Sequence, residues 1–233
     1  MKTGDQQLSN RGFLAEGIEN QHLDIDSKQL FPLLTSQKPT DRSLAARLIA
    51  RKQDVAFINP LGVALCCERK LYCKLEICNA LVSYDEKSVF LLVGLLGRIG
   101  NNQHKFVADK PFRKDSYPLP RDIAARCLIR VGWVALPELF DIVRNGKVDV
   151  VSEAVDSIGF INFYEPMPAC FDLIIECFDR HDDSELIKWK CIRALSGCSE
   201  AKAFLLKLKR VENNNIIKHE IDRSLRLLKF SQS

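Results

Sequence analysis

Apolar residues along this chain recur at i and i+4 in six separate stretches, and again at i+8 in five of them. These are "TDRSLAARLIARKQ" (40–53), "LYCKLEICNALVSY" (71–84), "PRDIAARCLIRVG" (120–132), "VDVVSEAVDSIGF" (148–160), "SELIKWKCIRALSG" (184–197) and "IIKHEIDRSLRLLK" (216–229). That spacing puts one apolar stripe on one face of a helix. Aligned on the stripe, the stretches begin at Leu44, Cys73, Ile123, Val150, Ile187 and Ile217, in steps of 29, 50, 27, 37 and 30 residues. A second helical set lies between them: 27–36, 55–69, 86–100, 133–146, 167–181 and 200–212. Ser27 and Ser184 are placed to cap helix N-termini, and Gly132 and Gly146 to end helices. Pro39, Pro120 and Pro168 fall at turns or first helical positions.

Two helix types thus alternate along the chain. A single pair cannot bury its apolar face, so neighbouring pairs must stack to make the core. The small-residue-rich second helices "RDIAARCLIRVG" and "KWKCIRALSG", with "LGRIG" at 96–100, resemble the HEAT-repeat family, in its short form of about thirty residues named from phycobilisome-lyase-like proteins. The resemblance implies an all-α fold, a right-handed α-α superhelix (solenoid) of about six HEAT-like helix pairs. It spans 26–230, with 1–25 as an N-terminal tail or capping helix. "LGRIG" usually closes a second helix in that family, whereas here the pattern puts it at the end of a first helix.

One stretch breaks the period. "RIGNNQHKFVADKPFRKDSYPLPRD" (98–122) is polar, aromatic and proline-rich. The 50-residue step is explained by an insertion of about twenty residues, at about 101–119, inside the third pair. In it Lys105, Lys110, Arg113 and Lys114 outnumber Asp109 and Asp115, and aromatic residues are interleaved.

The register also aligns charges. Three residues after each stripe origin stand Arg47, Glu76, Arg126, Glu153, Lys190 and Glu220, alternating in sign at every step. Stacked second helices lie about 8–10 Å apart, so the alternation predicts a structural charge ladder. It would fix register more than it adds stability.

Composition narrows the function classes. The chain has 233 residues, a net charge of +4 and 27% charged residues. The longest uncharged apolar run, 88–97, is too short to span a bilayer, and "MKTGDQQLSNRGF" lacks the apolar core of a secretion signal. A cytoplasmic protein is the expectation. Nine cysteines with no CxxC argue for buried thiols rather than a disulfide frame or a zinc site. "GLLGRIG" lacks the preceding strand and following Lys-Ser or Lys-Thr of a phosphate loop. No HExxH, GxSxG or ligand-spaced His and Cys set occurs, so neither a catalytic residue nor a cofactor or metal is assigned.

Second-helix charge is mixed: +3 over 41–52, +2 over 121–131, +2 over 185–194 and −2 over 147–160. In HEAT-like solenoids that layer lines the concave face. A mixed surface suits a protein partner better than a phosphate backbone. The sequence therefore predicts a non-enzymatic protein–protein interaction module: an adaptor, assembly factor or inhibitor-type partner, with monomer the favoured state. Arg130, Asp156, Trp189, Arg193 and Arg223 are the candidate contacts on the second helices. Trp189 lies two positions past Ile187, off the main stripe, where partial exposure is expected. Phe112, Arg113, Lys114 and Tyr117 are the candidates from the loop. The alternatives implied by resemblance are an alkylpurine DNA glycosylase of the HEAT-like type, with Trp189, Arg193 and Asp156 in its roles, or a chromophore-lyase-like protein.

Overall fold

A computed structural model describes residues 3–108 and 110–230, the side chains of Thr3, Lys229 and Phe230 excepted. Asp109 lies outside the described residues, as do Met1 and Lys2 at the start of the expected tail. The described residues are α-helical or irregular, with no strand among them. They form two compact units, 1–99 and 100–233.

The first unit contains α1 (Thr3–Ser9), α2 (Ser27–Leu34), α3 (Pro39–Lys52), α4 (Ile58–Cys67), α5 (Leu71–Ser83) and α6 (Glu86–Gly94). Helices α3 and α5 pack side by side, with α2 against α3 and α4 against α5 and α6. Their apolar stripes close a core that includes Leu48, Ile49, Ile77 and Leu81, all essentially buried. Pro39 starts α3 at a position whose missing N–H has no intrahelical partner anyway. Asp26, not Ser27, caps α2: its carboxylate accepts from the Lys28 N–H, and Gln29 reaches back to the Asp26 N–H. A carboxylate followed three residues later by Gln makes a reciprocal box, which displaces the single cap expected at Ser27.

The N-terminal segment combines a short helix with a covering strap. After α1 the chain runs over α3 and α5. Ser43 donates to the Gly12 carbonyl at 2.6 Å, and Arg47 donates to the carbonyls of Leu14 and Ala15 at 3.1 and 2.8 Å. Gly12 has φ 85°, and a Cβ there would collide with the Cys73 side chain.

The second unit contains α7 (Ile123–Val131), α8 (Leu136–Asn145), α9 (Val148–Tyr164), α10 (Ala169–Arg180), α11 (Glu185–Ala194), α12 (Lys202–Val211) and α13 (Asn215–Phe230). Helices α7, α9, α11 and α13 neighbour one another in that order, and α8, α10 and α12 pack against them. Asp122 caps α7 by accepting from the Ala125 N–H at 2.9 Å, so this helix starts three residues later than its pattern suggests. Ser184 caps α11, and Gly132, with φ 83°, closes α7. The "LGRIG" stretch is non-helical, with Gly97 and Gly100 both at φ 74°, so the helix expected over 86–100 stops at Gly94.

The charge alternation is realised in part. Arg47 meets Glu76 at 2.7 Å, and Lys190 meets Glu153 at 2.9 Å. The other rungs of the second unit are replaced. Arg126 donates its Nε to the Pro120 carbonyl at 2.7 Å, and among the described residues it makes no ion pair with Glu153. Glu220 pairs with Arg193 and Arg223 rather than with Lys190, whose second carboxylate is Asp156 at 2.8 Å. The reason is reach. Arg193 and Arg223 sit one turn further along their helices, and their longer guanidinium side chains take Glu220 first.

Candidate functional site

The layer α7–α9–α11–α13 is covered by residues 101–120. Among its described residues this loop has no helix of its own, and it is anchored at several points. At one end Gln103 donates to the second oxygen of the cap residue Asp122 at 2.8 Å. Beside it the His104 ring meets the Trp189 ring edge-on, 5.2 Å between centroids. At the other end Arg223 of α13 donates to the carbonyls of Lys114 and Ser116 at 3.3 and 2.7 Å, and lies over the Phe112 ring at 5.0 Å. Arg226 reaches Asp115 at 3.0 Å.

Tyr117 is the deepest anchor, 3% exposed, with its ring 6.0 and 5.8 Å from those of Phe160 and Phe163. It enters where α9 carries Gly159. A Cβ at that position would overlap the tyrosine ring and lie 2.8 Å from Ala194 of α11. The absence of a side chain at Gly159 therefore makes the slot that Tyr117 fills.

This packing corrects the sequence-based contact surface. Asp156, Trp189, Arg193, Arg223 and Tyr117 are each 2–4% exposed. They face the chain's own loop and helices and are not open to a partner. Trp189 in particular is not partly exposed, because the Arg193 guanidinium stacks over it at 3.8 Å and His104 closes its edge. Phe112 is half-buried, whereas Arg113, Lys114 and Arg130 are exposed.

Beneath the loop lies a buried charge network. Lys190 is fully buried and donates to Glu153, Asp156 and the Ser152 carbonyl. Burial opposes its charge, but Asp156 and Glu153 outweigh that and raise its pKa. Arg193 behaves alike: burial works against it, and Glu220 and Asp156 hold it charged. Burial drives Glu153 up to about 7, against the pull of Lys190 and with help from Asp156. Burial lowers His104 to about 4, assisted by Arg121, so its imidazole is neutral at neutral pH. Burial also pushes the Tyr117 phenol well above its ordinary value.

A cavity of about 340 Å³ opens between loop and helices. Asp156, Trp189 and Arg193 line it from the helices, and His104 and Phe112 from the loop. Lys110, Arg121 and Arg126, all exposed, also line it. Among the described residues, six buried side-chain polar atoms lack a hydrogen-bond partner, and all six are in this unit. Two of them, Asp156 Oδ1 and Arg193 Nε, belong to residues lining the cavity. All six atoms are closed off from solvent, and Tyr117, Asp156 and Arg193 lie close enough to influence one another's charge.

A larger groove of about 690 Å³ lies between α2 and α4 in the first unit. Phe31, Leu34, Pro60 and Val63 line it. Its charged residues are satisfied from within: Arg42 grips Glu68 at 2.7 and 3.0 Å and donates to the Ser36 carbonyl.

Sequence reasoning missed His104, Arg121 and Arg126 as cavity residues. His104 stands alone in a polar stretch, Arg121 reads as ordinary surface charge, and Arg126 reads as a rung of the charge ladder. No protein-family model matches the chain, and no curated protein matches it either.

Proposed function

We propose that the protein is a non-enzymatic interaction module of HEAT-like helical repeats, its pairs continuing the right-handed superhelical pattern, and that it recognises an acidic segment of another protein. The recognition surface is the outer face of the 101–120 loop. The observation carrying this reading is that the loop is held down while its basic and apolar groups stay outside. Arg223, Arg226 and Tyr117 anchor it, while Phe106 remains 81% exposed and Leu119 61% exposed beside exposed Lys105, Arg113 and Lys114. A loop fixed before binding loses little conformational entropy when a partner arrives. Exposed aromatic side chains and arginine are enriched in such contacts, and the flanking lysines add attraction for an acidic partner. The buried residues of α9, α11 and α13 are then the foundation of the surface and not its contact groups.

The test is affinity capture with the full chain against a Lys105→Glu/Arg113→Glu/Lys114→Glu variant whose helix content matches wild type. Retention of a specific protein that weakens with salt and is lost in the variant is the expected result. Identical capture by both forms overturns the assignment, as does retention that disappears on nuclease treatment. Deleting the loop is a poorer test, because it would strip the cover from Trp189, Arg193 and Asp156.

A further inference from the structure

We propose that residues 115–120 are a built-in occupant of a peptide groove on the α9–α11–α13 layer. The groove takes a non-helical partner segment with an acidic residue two positions before an aromatic one. This stands apart from the outer surface of the loop, since it uses only the contacts beneath it.

The loop is held down as a peptide ligand would be. Arg223 of α13 donates to the carbonyls of Lys114 and Ser116, bonds that accept any side chain at those two positions. Two side chains then supply selectivity. The Asp115 carboxylate meets Arg226, also of α13, at 3.0 Å. Tyr117 fills the slot that Gly159 leaves between α9 and α11. Main-chain bonds for affinity, with separate places for particular side chains, are the division of labour seen when a segment of one protein lies in the groove of another. Pro118 and Pro120 follow the tyrosine, and their fixed φ lowers the entropy lost on docking.

The occupant is also displaceable. The Tyr117 phenol oxygen is closed off from solvent and has no hydrogen-bond partner. A hydroxyl buried unpaired costs free energy that water returns when the slot opens. Tethering compensates, because a segment on a short linker competes at an effective concentration on the order of millimolar. A partner segment therefore enters when the loop is loosened, and the resting chain keeps its groove closed with its own residues.

The probe is the peptide Asp-Ser-Tyr-Pro-Leu-Pro, acetylated and amidated, which copies residues 115–120. Its acetyl carbonyl stands in for that of Lys114, and it offers trypsin no cleavage site. By titration calorimetry it should bind the full chain carrying Tyr117→Ala, checked for wild-type helix content, about tenfold or more tightly than it binds wild type, whose slot is filled. A peptide with alanine in place of the tyrosine should bind that variant at least tenfold more weakly. A second measurement needs no variant: excess tyrosine peptide should speed trypsin cleavage of wild type after Arg113 or Lys114, and the alanine peptide should not. The assignment is overturned if the tyrosine peptide neither binds the variant nor speeds cleavage, if it binds wild type and variant equally, or if the alanine peptide does as well. Failure of the peptide with partner capture intact removes this assignment alone. Loss of capture in the Lys105/Arg113/Lys114 variant with peptide effects intact leaves it standing, because none of those three side chains is among the anchors of the loop.

Discussion

At the residue scale, Glu153 has the environment with the clearest consequence. Its carboxyl is buried and shifted up from an ordinary 4.5 to about 7. The folded state then keeps a proton that the unfolded chain has already released between about pH 4.5 and pH 7. Wherever the native state binds more protons, stability falls as pH rises. Glu153→Gln cannot titrate, and Lys190 keeps Asp156 as its counter-ion. Urea unfolding of both forms across pH 4.5–7 should show wild type losing about 1–3 kcal/mol relative to the variant. A difference that stays constant with pH would refute the assigned shift. The charges involved were visible in the sequence as an alternating column. Their burial was not, because Lys, Glu and Asp ordinarily mark solvated faces. Nothing local distinguishes Lys190, which is fully buried, from Lys188 two positions earlier.

At the scale of elements, each unit covers its second-helix layer with an irregular strap held by arginine. In the first, Arg47 of α3 takes the carbonyls of Leu14 and Ala15. In the second, Arg223 of α13 takes those of Lys114 and Ser116. The carbonyls have no regular partner in a non-helical strap, and a guanidinium with several donors can satisfy two of them together. Arg223→Ala should release the second strap while the helices persist. Trypsin cleavage after Arg113 or Lys114 should then become about tenfold faster than in wild type, with far-UV dichroism unchanged. Equal cleavage rates would mean that the remaining anchors, Tyr117 and Arg226 among them, hold the loop without Arg223. The pattern of apolar residues located the strap as an insertion, and it located the paired helices within a few residues, except that the one expected over 86–100 ends at Gly94. It could not say which face the insertion covers, because Arg223 and Lys114 are more than a hundred positions apart in sequence.

At the scale of the whole molecule, the chain divides into two compact units at 99/100, each with its own buried core. A chain of residues 100–233 produced alone should therefore keep its helical dichroism and unfold in one cooperative urea transition. A gradual, non-cooperative loss of signal would show that the second unit depends on the first. No described helix is long and apolar enough to cross a membrane. That agrees with the apolar run at 88–97, which is interrupted at Arg98.

The sequence by itself determined the helical class, the alternation of two helix types and the position of the one irregular insertion. Those depend on periodicity and on local chemistry at helix ends, which act within a few residues of the chain. Tertiary structure alone decided what the insertion does. It turns Tyr117 into the slot at Gly159, sets His104 against Trp189, and leaves Asp156 Oδ1 and Arg193 Nε unpaired beside a cavity. Those contacts join residues far apart in the chain. They depend on which side chains are desolvated together, and no one-dimensional pattern carries that information.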